Sequence, residues 1–386
     1  MNNKFENGVL TVYPEGNIDS NNAEEFGREL EAIRNENPSG SLVLDLDELR
    51  YISSAGLRQI LRLRKKEKSL KLINVSSEIY EIFDMTGFSE MMEIEKAYRR
   101  FSVEGCEVIG EGSNGIVYRI NPDTIIKVYK NPDALEDIKK ERELARTALV
   151  LGINTAIPYD VVKVGDKYGS VFELLSAKSL TKLIVSDPDN IEKYVHIFID
   201  LLKEIHSTPV KEGLLPDARL RAINWCRELE GRIPEDTYRK LLNMLEAVPS
   251  SSNMIHGDYH TNNVHYANGE AILIDMDTLS TGNPVFELSN MFLAYHGFGE
   301  MDRSKVSNFL KLDWDKAQKV LELSFKYYFD DKTDDEITVY LNKAKAVGYM
   351  RLLRRTYKRE SDNTAFIEHL KNRLIESVDS VDNLTV

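Results

Sequence analysis

The sequence is poor in cysteine, in long apolar runs and in net positive charge, and each shortage removes a class of protein. Only two cysteines, Cys106 and Cys226, occur in 386 residues, which excludes a disulfide framework and a cysteine-based zinc site. No stretch reaches the roughly 20 apolar residues that a membrane span needs, and residues 1–10 lack a basic segment followed by an apolar run. We therefore expect a cytoplasmic protein with no membrane partner.

The charge balance argues against a nucleic-acid partner. Lysine and arginine number 50 against 63 aspartates and glutamates, which gives a net charge of −13, whereas non-specific nucleic-acid binding needs a basic surface. Hydrophobic residues make up 42% and charged residues 29% of the chain, as is typical of globular proteins. The length allows two or three domains.

The pattern of apolar residues changes near residue 100. Before it, the β-rich runs SLVLDL (41–46) and LKLINV (70–75) flank a helical pattern over residues 55–68, and this alternation predicts a small α/β domain. After it, several strand-like segments precede a mostly helical stretch. The expected organisation is a domain over 1–98, a charged connector over 99–105 and a second domain over 106–386, with an N-lobe over about 106–175 and a helical C-lobe over about 176–386.

A glycine-rich turn opens the second domain. Residues 110–115 read GEGSNG and match G-x-G-x-x-G, which alone fits a dinucleotide-binding loop, a kinase loop or an ordinary hairpin. The residues that follow, IVYRI (116–120), predict a strand and not the helix that a dinucleotide-binding loop requires. A strand, glycine turn and strand covers the ATP phosphates in kinases. The expected nucleotide-binding residues of this turn are Gly110, Gly112, Ser113, Asn114 and Gly115.

A lysine follows the turn on a predicted strand. Lys127 stands in IIKV, where β alternation would point it inward beneath the turn. It could then neutralise ATP phosphates if a carboxylate of the next helix holds it in place. We expect Glu143 to be this nucleotide-site carboxylate, with Glu141 as the second choice. The alternative is an exposed lysine on an edge strand, with both glutamates on the helix surface.

The stretches IHGDYHTNN and ILIDMD carry the candidate chemistry. Asp258 and Asn263 have the D-x-x-x-x-N spacing of a kinase catalytic loop. Asp258 could orient an acceptor hydroxyl or amine and accept its proton. Asn263 and Asp275 supply an amide oxygen and a carboxylate, the ligands needed to hold Mg²⁺ against ATP phosphates. The sequence therefore predicts a catalytic base and a pair of metal ligands within 18 residues.

Three histidines in the same region allow a different interpretation. His256 and His260 are four residues apart, and on a helix they would present two imidazoles to zinc. Gly257 and the run of threonine and asparagine after His260 favour a loop instead. We therefore interpret His256 as bracing the loop and assign no role to His260 or His265. Asp277 is either a further metal ligand or a turn residue.

Taken in order, IGEGSNGIVYRI, IIKV, HGDYHTNN and ILIDMD resemble the protein-kinase-like phosphotransferases of the aminoglycoside and choline kinase group. The resemblance covers about residues 106–360, and HGD in place of HRD resembles the small-molecule branch. It implies an α+β bilobal fold, ATP and Mg²⁺ as cofactors, and γ-phosphoryl transfer. It also implies that GSVFELL leads to the adenine site, with Glu173 and Leu175 near the base. Glu287 stands where the family carries an aspartate that supports the C-terminal lobe.

A second set of motifs marks the first domain. GNID, LVLDL, YISSAGLR, LKLINVS and IYEIFDMTGF together resemble a STAS domain, named for sulfate transporters and anti-sigma factor antagonists, over about residues 4–98. The resemblance implies that Ser54 is a regulatory phosphosite, although Ser53 stands where many members carry aspartate. The other interpretation is that Ser54 caps the helix that begins there, because a serine hydroxyl can accept a free backbone N–H.

These expectations leave two hypotheses. In the first, the chain is an ATP- and Mg²⁺-dependent phosphotransferase acting on a small-molecule hydroxyl or amine, with a STAS-like domain that regulates it or docks a protein partner. In the second, the kinase-like domain only senses nucleotide, and the chain signals through STAS-domain interactions. The presence of Lys127, Asp258, Asn263 and Asp275 favours the first. The helical C-lobe shows no motif that identifies the acceptor.

Overall fold

A computed structural model describes residues 1–38, 40–112 and 114–386. The chain forms two compact units, Met1–Glu104 with Val161–Tyr168, and Gly105–Asp160 with Gly169–Val386. In the described part of the chain, no helix combines the length and apolar character that crossing a membrane requires.

The first unit is an α/β arrangement around one parallel-rich sheet. Its elements in chain order are β1 (Asn2–Glu6), β2 (Val9–Tyr13), β3 (Gly16–Ile18), α1 (Ala23–Glu36), β4 (Ser41–Asp45), β5 (Leu49–Ile52), α2 (Ser54–Lys66), β6 (Lys71–Val75), α3 (Ser77–Met85), α4 (Phe88–Met91), β7 (Glu93–Lys96) and β8 (Arg99–Arg100). The sheet order is β1-β2-β4-β6-β7, with β1 and β2 antiparallel and the other neighbours parallel. Within the expected connector, β8 pairs in parallel with residues 162 and 163.

Side-chain periodicity explains how this unit forms its core. Strands β2 and β4 bury every second residue, as a strand with one covered face must. Helix α1 buries Phe26, Leu30 and Ile33, which lie on one helical face. These strand and helix residues belong to one buried apolar cluster.

The start of α2 corrects the expected role of Ser54 as a cap. The N-cap is Ser53, whose hydroxyl accepts the N–H of Gly56 at 3.3 Å from an extended backbone conformation. Ser54 is the first helical residue and is exposed. Gly56 packs so tightly that a Cβ there would lie 2.6 Å from Cγ2 of Ile18. The cap is therefore one residue earlier than the sequence suggested.

The second unit joins a small antiparallel sheet to a larger helical part. Its elements, including two strands shared with the segment 161–168, are β9 (Glu107–Glu111), β10 (Gly115–Asn121), β11 (Thr124–Tyr129), α5 (Leu135–Val150), β12 (Pro158–Val164), β13 (Lys167–Glu173), β14 (Lys178–Ser179), α6 (Leu180–Ser186), α7 (Ile191–Ser207), α8 (Ala218–Arg227), α9 (Glu235–Ala247), β15 (Met254–Ile255), β16 (Val264–Ala267), β17 (Glu270–Leu273), β18 (Ser280–Thr281), α10 (Val285–Tyr295), α11 (Arg303–Leu310), α12 (Trp314–Tyr328), α13 (Asp334–Arg359) and α14 (Thr364–Asp379). Short 3₁₀ helices span Pro188–Asn190, Met276–Thr278 and Gly297–Gly299.

Two features of this unit position the candidate site. Strands β9, β10, β11 and β13 are successive antiparallel neighbours, and they carry the glycine-rich turn and Lys127. Later in the chain, β14-β16-β17 and β15-β18 form two short strand groups. The loop 256–263 connects β15 to β16, and Asp275 follows β17. A large apolar cluster that includes residues of α7, α10 and α13 forms the core around these loops.

Candidate active site

The glycine-rich turn connects two antiparallel strands, as the residues after it predict. β9 and β10 are antiparallel, and Gly112 N–H donates to the Gly115 carbonyl at 2.9 Å. A Cβ on Gly115 would lie 2.6 Å from the carbonyl oxygen of Val128 on β11. Only glycine therefore allows this close approach of the two backbones.

Two other predicted residues of this segment, Gly110 and Asn114, lie in β9 and in the turn itself. Gly110 lies in β9 opposite Val117. The carbonyl of Asn114 accepts the N–H of Lys130 at 2.9 Å, which ties the turn to the end of β11. Ser113 was also expected to bind nucleotide, but it lies outside the described residues.

Lys127 is held between two carboxylates. Its Nζ lies 2.9 Å from Oε1 of Glu141 and 3.1 Å from Oδ1 of Asp275. Tyr129, on the same face of β11, donates its hydroxyl to the other carboxylate oxygen of Glu141. Burial would lower the pKa of Lys127, but the negative charges of Asp275 and Glu141 outweigh burial and raise that pKa. Lys127 is therefore a fixed cation.

The partner of Lys127 is Glu141, so the choice of Glu143 was wrong. Glu141 is buried on the face of α5 that also buries Ile138, Ala145 and Ala148, whereas Glu143 is exposed. Residues at i, i+3, i+7 and i+10 share one helical face, and position 143 lies outside it. The apolar spacing of α5 was the signal that would have identified Glu141.

The loop that carries Asp258 is braced by a buried carboxylate. Glu287 is fully buried in α10 and accepts backbone N–H groups of His256, Gly257 and Tyr259, at 3.0 Å for Gly257. Asn290, one turn further along α10, donates Nδ2 to the Gly257 carbonyl at 2.7 Å. A glutamate and an asparagine in the mostly apolar sequence VFELSNMFLAY were the signal for these two positioning residues.

His256 acts within the loop, and its hydrogen bonds define its tautomer. Nε2 lies 3.2 Å from the Ile274 carbonyl and Nδ1 lies 3.3 Å from the N–H of Asp258. A carbonyl oxygen can only accept, so Nε2 carries the proton and Nδ1 accepts. His256 therefore links the Asp258 loop to the segment that leads to Asp275, consistent with its expected bracing role.

Asp258 is ionised and partly exposed. Its side chain is 40% exposed, and Oδ2 lies 3.6 Å from Nε2 of His260. Burial acts to raise the pKa of Asp258, but its interaction with His260, together with the charge of Arg351, outweighs burial and lowers the pKa to about 2. The carboxylate is therefore available to accept a hydrogen bond at neutral pH.

Asn263 and Asp275 are linked through the backbone. Nδ2 of Asn263 donates to the Asp258 carbonyl at 3.0 Å, which fixes the orientation of this amide. The carbonyl of Asn263 accepts the N–H of Ile274 at 2.9 Å. Asp275 itself has φ +65° and ψ +67°, a left-handed conformation that costs energy for a non-glycine residue and is common at functional sites.

The donor set around Asp275 fits Mg²⁺. It combines carboxylate oxygens with an amide oxygen, the hard ligands that this ion prefers. Burial, followed by the negative charges of Asp275 and Glu141, raises the pKa of Asp277 to about 7. This accumulation of acid is an environment that a divalent cation would relieve.

The three histidines do not form a metal site in the described residues. Among these residues, no group of three or more His, Cys, Asp or Glu side chains is arranged to hold a metal. His260 stacks edge-on against Phe309, and His265 lies in β16, where burial lowers its pKa.

The segment expected near adenine ends β13. The Oε1 atom of Glu173 accepts the N–H of Ile157 at 2.9 Å, so this side chain supports the backbone. Leu175 lines a cavity of about 620 Å³ together with Leu174, Ser176 and residues 119–122. Lys127 is not among the described residues that line this cavity. The placement of adenine beside Glu173 and Leu175 therefore stays a prediction.

Two family models match the chain. The STAS domain matches residues 1–100, and the phosphotransferase enzyme family (APH) matches residues 105–319. Among curated proteins, BtrV of Bordetella bronchiseptica, a candidate anti-sigma factor antagonist, is 35% identical over 91 residues. That match covers 22% of this chain and 78% of BtrV.

Solved structures of aminoglycoside phosphotransferase APH(4)-Ia are similar in fold. A thermostable mutant in ternary complex with ADP and hygromycin B has a TM-score of 0.50 at 13% identity, over 71% of this chain and 93% of that chain. A ternary complex of a thermostable mutant with AMP-PNP and hygromycin B has a TM-score of 0.51 at 13% identity, over 72% and 96%.

These matches confirm the expected fold classes, an α/β STAS domain and an α+β kinase-like domain. The family model of the second domain covers more than half of the 386 residues. The chain belongs to the phosphotransferase enzyme family and carries a STAS domain at its first 100 residues.

Proposed function

We propose that the chain transfers the γ-phosphoryl group of ATP, with Mg²⁺, to a hydroxyl or amine of a small-molecule acceptor. The observation that carries this proposal is the ion pairing of Lys127 with both Glu141 and Asp275. This ion pairing connects the strand beside the glycine-rich turn to the segment that contains Asp275. Hydrogen bonds connect that segment in turn to the Asp258 loop. The ADP, AMP-PNP and hygromycin B named for the two solved relatives support a nucleotide donor and a small-molecule acceptor.

Each residue has a separate role in this proposal. Lys127 and the backbone N–H groups of the glycine-rich turn bind phosphate oxygens, and Asn263 and Asp275 hold the metal. Mg²⁺, when bound, supplies charge neutralisation at the phosphates. The bond from the γ-phosphorus to the β–γ bridging oxygen breaks, and ADP keeps its electron pair. A bond forms from the acceptor oxygen or nitrogen to phosphorus, and the acceptor proton passes to Asp258.

The low pKa of Asp258 suits orientation better than strong basicity. A carboxylate whose pKa is about 2 stays ionised and accepts a hydrogen bond from the acceptor across the neutral range. Phosphoryl transfer with a loose transition state depends mainly on positioning and charge stabilisation. The braced loop around Glu287 supplies that positioning.

The STAS domain is proposed to dock a protein partner through the surface around Ser54. Ser54 is exposed in the first turn of α2, where a phosphate would add about −1.5 to −2 charges at a helix N-terminus. The match to BtrV, a candidate anti-sigma factor antagonist, supports a signalling role. Because the connector is short, we favour docking, or phosphorylation by a separate kinase, over transfer from the chain's own site. Peptide mass spectrometry after incubation with ATP and Mg²⁺ tests this: rapid, concentration-independent phosphate gain at Ser54 would contradict it.

The enzyme hypothesis is tested by ADP release from ATP and Mg²⁺ with a metabolite library. We expect at least one acceptor to accelerate release, and Lys127→Ala to abolish the acceleration. Lys203→Ala is the matched control, because Lys203 pairs with exposed Asp330 away from the candidate residues. Tight nucleotide binding without acceptor-dependent ADP release would favour the nucleotide-sensing hypothesis.

A further inference from the structure

An arginine cluster surrounds one tryptophan in the second unit. Trp225 lies on α8. The guanidinium carbon of Arg221 is 5.5 Å from the centroid of its ring, and those of Arg351 and Arg354 are each 5.3 Å from it. Arg355 follows on α13, with its guanidinium carbon 5.6 Å from the Phe298 ring. Residues 221 and 225, and 351, 354 and 355, have i, i+3 or i+4 spacing, so each helix presents its members on one face.

The members of this cluster differ in whether their charge is neutralised. Arg354 makes a bidentate pair with Glu228, at 2.8 and 2.9 Å. Within the described residues, Arg221, Arg351 and Arg355 have no carboxylate oxygen within 4.0 Å. The cluster therefore contains one paired arginine and three whose charge lacks a direct anionic partner.

Hydrogen bonds connect two of these three arginines to the Asp258 loop. Arg351 donates to Oδ1 of Asn290, and Nδ2 of Asn290 donates to the Gly257 carbonyl at 2.7 Å. Gly257 is the residue before Asp258. This chain of two hydrogen bonds links the guanidinium of Arg351 to the backbone of the Asp258 loop.

Arg221 is linked to the same loop by a second chain of hydrogen bonds. Its NH2 group donates to the Ser280 hydroxyl at 3.1 Å. That hydroxyl donates to the Thr278 carbonyl at 3.2 Å, and the Thr278 hydroxyl donates to the His256 carbonyl at 2.8 Å. The guanidiniums of Arg221 and Arg351 are thus both linked to the segment that positions Asp258.

The buried acid Glu287 does not satisfy this positive charge. Glu287 lies in the electrostatic range of Arg221 and Arg351, but its carboxylate oxygens accept backbone N–H groups of the loop. The Nε atom of Arg221 is buried without a hydrogen-bond partner in the described residues. Burial also lowers the pKa of Arg351 to about 10. Partly buried guanidinium charges that lack a carboxylate partner are costly, and an anionic ligand would offset that cost.

We infer that the phosphoryl acceptor carries an oxyanion, a carboxylate or phosphate, beside its reactive hydroxyl or amine, and that Arg221, Arg351 and Arg355 bind it. This inference rests on the proposed function, and it names the acceptor class. Guanidinium groups match carboxylate and phosphate oxygens geometrically. A purely cationic acceptor would meet the positive charges of Arg221, Arg351 and Arg355, none of which has a carboxylate partner in the described residues.

The test uses Trp225 as a local reporter of binding. The sequence contains two tryptophans, so Trp314→Phe leaves Trp225 as the sole indole in the full chain. Its fluorescence is followed while the protein is titrated with inorganic phosphate and with three sugars of matched size, glucuronate, glucose and glucosamine. We expect phosphate and glucuronate to bind, and each to bind more tightly than glucose or glucosamine.

Arginine variants separate a built anion site from general surface charge. Arg351→Gln and Arg355→Gln should each weaken phosphate binding by about tenfold or more, the expected loss of a charge-assisted hydrogen bond. Arg354→Gln, on the same helix and the same indole, should change it by less than about threefold because Glu228 already neutralises Arg354. Arg355 is exposed, so Arg355→Gln remains informative if Arg351→Gln fails to fold.

The outcomes distinguish the two proposals. Absence of phosphate binding, tighter binding of glucosamine than of glucuronate, or equal phosphate affinity in the wild type, Arg351→Gln and Arg355→Gln would overturn the acceptor inference alone. Arginine-dependent phosphate binding without acceptor-stimulated ADP release from any library compound would leave the anion site standing and contradict the proposed phosphotransfer. Stimulation by anionic acceptors that is lost in Arg355→Gln supports both.

Discussion

Nζ of Lys127 lies 2.9 Å from Oε1 of Glu141, and this pair fixes the lysine close to the glycine-rich turn. We predict that Glu141→Gln lowers kcat/KM for ATP by about tenfold to a hundredfold, because a charged hydrogen bond is lost. Glu143→Gln is the matched control, two residues away on the same helix but exposed. Steady-state ADP release measures both, and equal losses in the two variants would contradict the assignment.

The contact of Glu287 with the Asp258 loop predicts a stability effect. Glu287→Ala leaves the buried N–H groups of His256, Gly257 and Tyr259 without acceptors, and each such group costs ~1–3 kcal/mol. We expect the free energy of unfolding to fall by at least about 3 kcal/mol in urea titrations. Glu246→Ala, which breaks an exposed pair with Arg227, should cost less than about 1 kcal/mol. A similar small loss in Glu287→Ala would refute the bracing role.

Glu300, a buried acid in the second unit, allows a prediction of how stability depends on pH. Burial acts to raise the pKa of Glu300, but hydrogen bonds from His296, Tyr349, His369 and Arg373 outweigh it and hold that pKa well below its ordinary value. Because the folded-state pKa is depressed, the stabilisation is complete above the ordinary value of about 4.3 and is lost as pH falls below it.

We therefore expect Glu300→Gln to lower the free energy of unfolding most at pH 7, with a smaller difference from the wild type at pH 3.5. Urea unfolding of both proteins at the two pH values measures this. A difference that stays constant between pH 7 and pH 3.5 would show that the ionised carboxylate contributes nothing.

The two serines at the start of α2 should differ in how much their substitution by alanine lowers stability. Ser53→Ala removes the cap to Gly56 and should cost about 1 kcal/mol. Ser54→Ala changes an exposed residue without a capping role and should stay within about 0.5 kcal/mol. Thermal unfolding of the two variants decides between them, and a larger cost at Ser54 would restore the original assignment of the cap.

Local sequence patterns predict part of the fold and of the candidate site. The residues after the glycine-rich turn predict a strand, and the structure has β10 there. The run before Asp275 predicts a strand, and the structure has β17. These signals succeed because strand periodicity and turn chemistry depend on residues close in sequence.

Other features depend on packing between distant segments. Glu287 bonds a loop about 30 residues earlier in the chain. Arg221 and Arg351 meet at Trp225 from helices 130 positions apart. No local pattern encodes such contacts, because helix packing determines them.

The most direct test of the account compares Asp258→Asn with the wild type in two assays. Transfer is measured as acceptor-dependent ADP release, and nucleotide affinity is measured by calorimetry with ATP and Mg²⁺. Asp258 is assigned to the acceptor, while Lys127, Asn263 and Asp275 are assigned to the nucleotide and metal. We predict that transfer falls by about 10²–10⁴-fold while nucleotide affinity changes by less than about threefold. Full turnover in Asp258→Asn, or a loss of nucleotide binding as large as the loss of transfer, would contradict the account.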